Sequence, residues 1–99
     1  MANYNLTNKA VEDLARIWDY TFDKWSEQQA DKYYEVLIEG CQDIADNPDS
    51  GKNYANIKNE LFGLKINRHI IFYRKFNDKP TEITRILHER MDLKNRMTE

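Results

Sequence analysis

A strand with apolar side chains on both faces fits only the middle of a sheet, covered above and below. Residues 69–76 read as such a strand: Ile71 and Tyr73 fall on one face, Ile70, Phe72 and Phe76 on the other. Neighbouring strands are predicted over residues 61–66 and 82–88. Asn67-Arg68 is a candidate two-residue hairpin turn, because Asn tolerates positive φ. Asn77-Asp78-Lys79-Pro80 supplies the next turn. The polar positions of this strand-rich third carry mainly Arg, Lys and His.

The first half has a different period. After a short strand over residues 2–6, with Tyr4 and Leu6 on one face, Thr7 or Asn8 offers an N-cap oxygen. Val11, Leu14, Ile17, Trp18, Thr21, Phe22 and Trp25 then recur at steps of three and four, while Glu12, Asp13, Arg16, Asp19, Asp23 and Lys24 fill the opposite, solvated face. That is an amphipathic helix. Ser26-Glu27-Gln28-Gln29 is a capping box that starts a second helix. Its stripe is Ala30, Tyr33, Tyr34, Leu37, Cys41, Ile44 and Ala45, and Asn47-Pro48 ends it. The short link makes the two helices an antiparallel hairpin over about residues 7–47, packed on the sheet by Leu14, Trp18, Phe22, Leu37, Cys41 and Ile44. Residues 49–59 form a polar loop pinned by Tyr54 and Ile57, and residues 89–96 a short terminal helix. The expected fold is α+β: an N-terminal strand, then the helical hairpin packed on a small antiparallel sheet (β-α-α-β-β-β), then a short C-terminal helix.

At 99 residues the chain suits a single domain over 1–99. No run of about 18 apolar residues is present, so no membrane helix is expected. The start lacks a basic-then-apolar signal pattern. Cys41 is alone, which excludes an intrachain disulfide and suits a reducing compartment. A cytoplasmic location follows as the expectation. Residues 1–50 hold 4 Lys/Arg against 11 Asp/Glu, a net of −7, and residues 51–99 hold 11 against 6, a net of +5. This split suggests an electrostatic face that could meet nucleic acid or an acidic protein, or help the halves attract each other.

Little in the chain suggests bond-making chemistry. Two His and one Cys, with no ligand-spaced pair on one element, give no metal site. Gly40, Gly51 and Gly63 are scattered and make no phosphate loop. Cys41 lies in an apolar stripe, where a small buried thiol is the ordinary reading. Trp18 and Trp25 are seven apart on one helix side, which suits core packing, with a partner groove as the alternative. The basic set is Lys65, Arg68, His69, Arg74, Arg85, His88 and Arg90. Strand alternation means that Arg74 and Arg85 need not share a face with the others. RNA cleavage would need a base, an acid and phosphate-binding cations. His69, His88, Glu60 and Glu89 could nominally supply the first two, but their spacing does not show that they converge. A solvated or partner-binding cationic face is the simpler reading.

The element order, with residues 14–20 (Leu-Ala-Arg-Ile-Trp-Asp-Tyr), 25–30 (Trp-Ser-Glu-Gln-Gln-Ala), Asn47-Pro48 with Gly51, 68–74 (Arg-His-Ile-Ile-Phe-Tyr-Arg) and 86–92 (Ile-Leu-His-Glu-Arg-Met-Asp), resembles the ParE branch of the ParE/RelE toxin–antitoxin superfamily. The resemblance covers nearly the whole chain. Asn67 stands where Gly is common in that pattern, and Met91 where a second Arg is common. The resemblance implies a RelE-like fold and a cofactor-free toxin that binds DNA gyrase and traps its cleaved-DNA state. It implies neutralisation by a ParD-like antitoxin whose C-terminal segment wraps the toxin. No sequence-specific contact with nucleic acid and no membrane association are expected. Target contacts are assigned to Arg68, His69, Arg74, Arg85, His88 and Arg90, with no catalytic residue and no metal. The RelE branch instead cleaves mRNA on the ribosome, often with a C-terminal Tyr, and no Tyr follows Tyr73 here. That branch, or an inactive module that only binds an antitoxin, is the alternative.

Overall fold

A computed structural model describes residues 2–97. The elements run β1 (Tyr4–Leu6), α1 (Asn8–Lys24), α2 (Glu27–Asp46), a 3-10 turn (Pro48–Ser50), β2 (Lys52–Asn53), β3 (Phe62–Ile66), β4 (His69–Arg74), β5 (Thr81–His88) and α3 (Leu93–Met97). The five strands lie in the order β1-β5-β4-β3-β2. Strand β4 is central and buried along most of its length, as its two apolar faces require. The pairs among β2, β3, β4 and β5 are antiparallel. Strand β1 joins β5 in parallel, so the sheet is mixed rather than purely antiparallel.

Local chemistry places the helices. The Thr7 hydroxyl accepts from the N–H of Ala10 at 3.1 Å and donates to the carbonyl of Thr84 at 2.7 Å, so one side chain both caps α1 and fastens it to β5. The Ser26 hydroxyl accepts from the N–H of Gln29 at 3.1 Å to open α2, two residues after α1 ends. The Trp18 indole N–H donates to Asp31 across the hairpin at 2.9 Å. Leu14, Leu37, Cys41 and Ile44 meet Ile71, Tyr73, Ile83 and Ile86 beneath the helices. On the other face Leu61, Ile70, Phe72, Leu87 and Met97 pack with Tyr54, Ile57 and Leu93, so the loop is pinned as expected.

Three features differ from the sequence reading. Helix α1 is turned: Ala10, Asp13 and Leu14 are its buried residues, whereas Val11, Phe22 and Trp25 are exposed, Trp25 to 75%. Trp18 is half-buried and stacks on Phe22 with ring centroids 5.3 Å apart. The carboxylate of Asp13, expected on the solvated face, is drawn inward by Arg85. Second, the loop contains β2. The Tyr73 hydroxyl donates to the Pro48 carbonyl at 2.6 Å and accepts from the Gly51 N–H at 3.0 Å, which holds the chain beside β3. A Cβ at Gly51 would overlap that hydroxyl. Third, the last helix is confined to Leu93–Met97. The turn is as expected: Ile66 pairs with His69, and Asn67 adopts φ 54°.

Candidate functional site

The β3–β4 turn fixes the start of β4, and the β4–β5 register then sets His69 directly opposite His88. Their rings meet edge to face with centroids 5.2 Å apart. Tyr33 of α2 reaches the same point, its hydroxyl 2.6 Å from His69 Nδ1. Burial, and then the neighbouring His88, push the His69 imidazole down to about 4, with Glu89 opposing. Burial raises the Tyr33 phenol. At neutral pH both partners of that short hydrogen bond are therefore uncharged. The Nδ1 of His88 accepts from the Arg90 N–H at 3.1 Å.

Cations surround this pair. Lys65 and Arg68 bridge to Glu89 at 2.8 Å and 3.5 Å, and Lys65 above all holds the Glu89 carboxyl below its ordinary value. Among the described residues Arg90 makes no ion pair. Two open cavities flank the pair. One, of about 530 Å³, lies between α1 and the end of β5 and is lined by Arg16, Ile17, Tyr20, Ile86, Arg90 and Met91 among others. The second, of about 440 Å³, is lined by Trp25, Tyr33, Asn67 and Arg68 among others. Tyr20, His69 and His88 border both, so they form a saddle in one continuous groove.

Of the six residues singled out from the sequence, Arg68, His69, His88 and Arg90 thus converge. Arg74 does not. It sits at the far end of β4, about 17 Å from His69 by strand rise, where it bridges Glu60 at 3.3 Å and lies over the Phe76 ring. Arg85 borders the larger cavity, yet its guanidinium is committed to the interior. It donates to Asp13 twice, at 2.8 Å and 3.0 Å, and to the Arg96 carbonyl at 2.7 Å, with 6% of the residue exposed. The Asp13 oxygen that takes the 2.8 Å bond, Oδ2, also accepts from the N–H of Ile86 at 3.0 Å. Arg85 is a structural cation that ties α1, β5 and α3 together. The groove residues missed from sequence are Arg16, Tyr20 and Tyr33. Arg16 and Tyr20 stand at i and i+4 of α1 and so share a face, a signal that could have joined them.

Among the described residues no three His, Cys, Asp or Glu side chains are gathered as a metal ion would require. Among the same residues no helix is long and apolar enough to cross a membrane. Cys41 is buried, and desolvation pushes its thiol up to about 12.

Residues 4–93 match the profile of the family described as the ParE toxin of type II toxin–antitoxin systems, parDE. The chain belongs to the ParE toxin family. It is 33% identical over 92 residues to Toxin ParE1 of Mycobacterium tuberculosis, covering 93% of this chain and 94% of the relative. It is 32% identical over 92 residues to Toxin ParE1 of Caulobacter vibrioides, with the same coverage. It is 30% identical to Toxin ParE of Escherichia coli, over 100% of this chain and 96% of that protein. A solved structure described as the chromosomal ParDE TA system from P. aeruginosa shares the fold, with TM-score 0.77 and 19% identity over 89% of this chain and 96% of that one. The two stretches that resemble ParE sequences in the last third, residues 68–74 and 86–92, are the ones whose ends build the groove. At the position where that pattern commonly has a second Arg, this ParE-family chain places Met91 on the groove rim, 41% exposed.

Proposed function

We propose that this chain inhibits DNA gyrase by binding, in the cytoplasm, and that a ParD-like antitoxin neutralises it. The observation that carries the reading is the groove: Arg68, His69, His88 and Arg90 meet at one end of the sheet in a chain of the ParE family. A binding toxin needs a shaped cationic surface and no bond-making group. Arg68 and Arg90 have the exposure to meet a target. Arg85 does not, and its replacement would act through folding. Charge reversal at Arg90 or Arg68 should weaken inhibition more than an Ala change, and added salt should weaken it further.

A second reading, ribosome-dependent mRNA cleavage, gains support from one observation: the two imidazoles and Tyr33 do come together. Against it, Arg74 stands at the far end of β4 on Glu60, and the Arg85 guanidinium is committed to Asp13 and the Arg96 carbonyl, so neither is offered to a phosphate beside the imidazoles. The deciding experiment measures gyrase supercoiling beside mRNA integrity in a translating extract. Blocked supercoiling with intact mRNA supports the proposal. Unaffected supercoiling with site-specific mRNA cleavage overturns it in favour of the nuclease. No effect in either assay, with retained antitoxin binding, identifies a module that only binds its antitoxin.

A further inference from the structure

We infer that the smaller cavity holds one unpaired nucleotide, its base stacked on the exposed rings of Trp25 and Tyr20 and its phosphate held by Arg68. The inference goes beyond gyrase inhibition and does not rest on it: a toxin that met gyrase through protein contacts alone would need no such site.

The lining carries the argument. The cavity's volume of about 440 Å³ is within the roughly 300–1,000 Å³ of ligand clefts. Trp25 and Tyr20 are the most exposed large apolar side chains of the described residues, and both border it. The Trp25 N–H donates to the Thr21 carbonyl at 2.9 Å, so the backbone is fixed at the end of α1 while the indole stays open to solvent. Such a plane accepts any base, because every base has a π-face. Gln29 and Asn67 bring carboxamides, which both donate and accept and so suit a base edge. Arg68 is the cation. Its side chain is 67% exposed and stands 3.5 Å from Glu89, whereas Lys65 holds the same carboxylate at 2.8 Å. A phosphate can therefore draw Arg68 away without leaving Glu89 unpaired. Lys24, over the Tyr20 ring at 5.9 Å, adds positive charge at the rim. Among the described residues no Asp or Glu lines the cavity, although the whole chain carries −2.

Two further observations narrow the occupant. Among the described residues the lining has no Leu, Ile, Val or Met, so an aliphatic side chain of a peptide finds nothing there to nest against. A paired base keeps its faces against its neighbours in the duplex, so rings that receive a base face select an unpaired one.

The test titrates the full chain, labelled with nitrogen-15, at low salt and reads the two indole N–H signals by NMR. The probes are a 20-nucleotide DNA strand, the same strand annealed to its complement, thymidine monophosphate, inorganic phosphate, and an acidic 12-residue peptide with one Leu. DNA has no 2′-hydroxyl, so binding is read apart from any RNA cleavage. We expect the single strand to move the Trp25 signal and to leave that of Trp18, which is bonded to Asp31. We expect it to bind about tenfold or more tighter than the duplex, and Trp25→Leu and Arg68→Glu each to weaken it about tenfold or more. Lys79→Glu, an equal charge change on the exposed β4–β5 turn, should weaken it less than about threefold. Circular dichroism checks the fold of each variant. Binding of the monophosphate as tight as that of the strand identifies a free nucleotide, and much weaker binding identifies a strand; both support the site. The same shifts with phosphate or the acidic peptide, equal binding of strand and duplex, or a Trp25 signal that does not move each overturns the inference. So does an unaltered affinity in Trp25→Leu, or equal losses in Lys79→Glu and Arg68→Glu.

Discussion

Two places three residues apart on β5 use the same kinds of side chain in opposite ways. At Arg85 the guanidinium, the Asp13 carboxylate, the Ile86 N–H and the Arg96 carbonyl satisfy one another inside the protein. At His88 the ring meets His69 at the wall of an open groove, and Arg90 beside it makes no ion pair among the described residues. Residue type does not distinguish them; position does. Arg85 lies where α1 crosses the strand, and His88 is the strand's last residue, next to a turn. Positive charge in this chain therefore does two jobs, and only one of them faces the open groove.

The comparison breaks first at Asp13. Asp13→Ala leaves Arg85 buried without its bidentate partner and should cost about 3–5 kcal/mol in urea unfolding. A loss below about 1 kcal/mol would mean that the junction is wetter than its burial indicates. Leu37→Ala, in the apolar core and remote from either polar cluster, should cost roughly 2–5 kcal/mol. It calibrates how much of the Asp13 effect is charge rather than lost packing.

Acid should act on the groove. The His69 imidazole is depressed to about 4 from 6.5, so between those values the unfolded chain binds a proton that the folded chain refuses. Stability should therefore fall as pH drops from about 6.5 towards 4, and replacing His69 with Phe should flatten that slope. A wild-type urea midpoint that does not change between pH 7 and pH 5 would contradict the buried, neutral state of His69. Glu89, whose carboxyl is depressed, adds its own loss only at lower pH, below about 4.5. The smallest effect belongs to Arg68→Ala, which should change stability by no more than about 0.5 kcal/mol because the side chain is exposed. A larger loss would move Arg68 from the groove-facing group to the structural one.

Much of this was readable in the sequence because it is local. Thr7 and Ser26 act on N–H groups three residues away, Pro48 lacks a donor, and Asn67 accepts positive φ. The rest depended on contacts between distant residues. The stripe on α1 fixed a helix but not which of its borders turns inward, and Asp13 meets Arg85 from 72 positions away. The same distance hid the true role of Arg85. Strand β2 is two exposed polar residues with no alternation to betray it, formed because the Tyr73 hydroxyl anchors the preceding turn. The His69–His88 pair required the β4–β5 register, which shifts by one at Thr84. A one-residue slip would have turned one ring to the other face.

Asp13 also bears on how copies of this chain behave towards each other. Pairing of β1 with β5 stops at Ile83, so among the described residues the last part of β5 has no strand beside it on that side. A bare strand border is a template on which another chain can grow, and proteins protect such borders with charge. Here the Thr7 hydroxyl holds the Thr84 carbonyl and the carboxylate of Asp13 occupies the Ile86 N–H, so at Ile86 the protection is an acidic side chain. A variant without it would lose more than stability: the segment Ile86-Leu87 would become a nucleus for chain-to-chain stacking. Its damage would then appear as a precipitate that grows with protein concentration, whereas Leu37→Ala would leave a weakened but soluble fold.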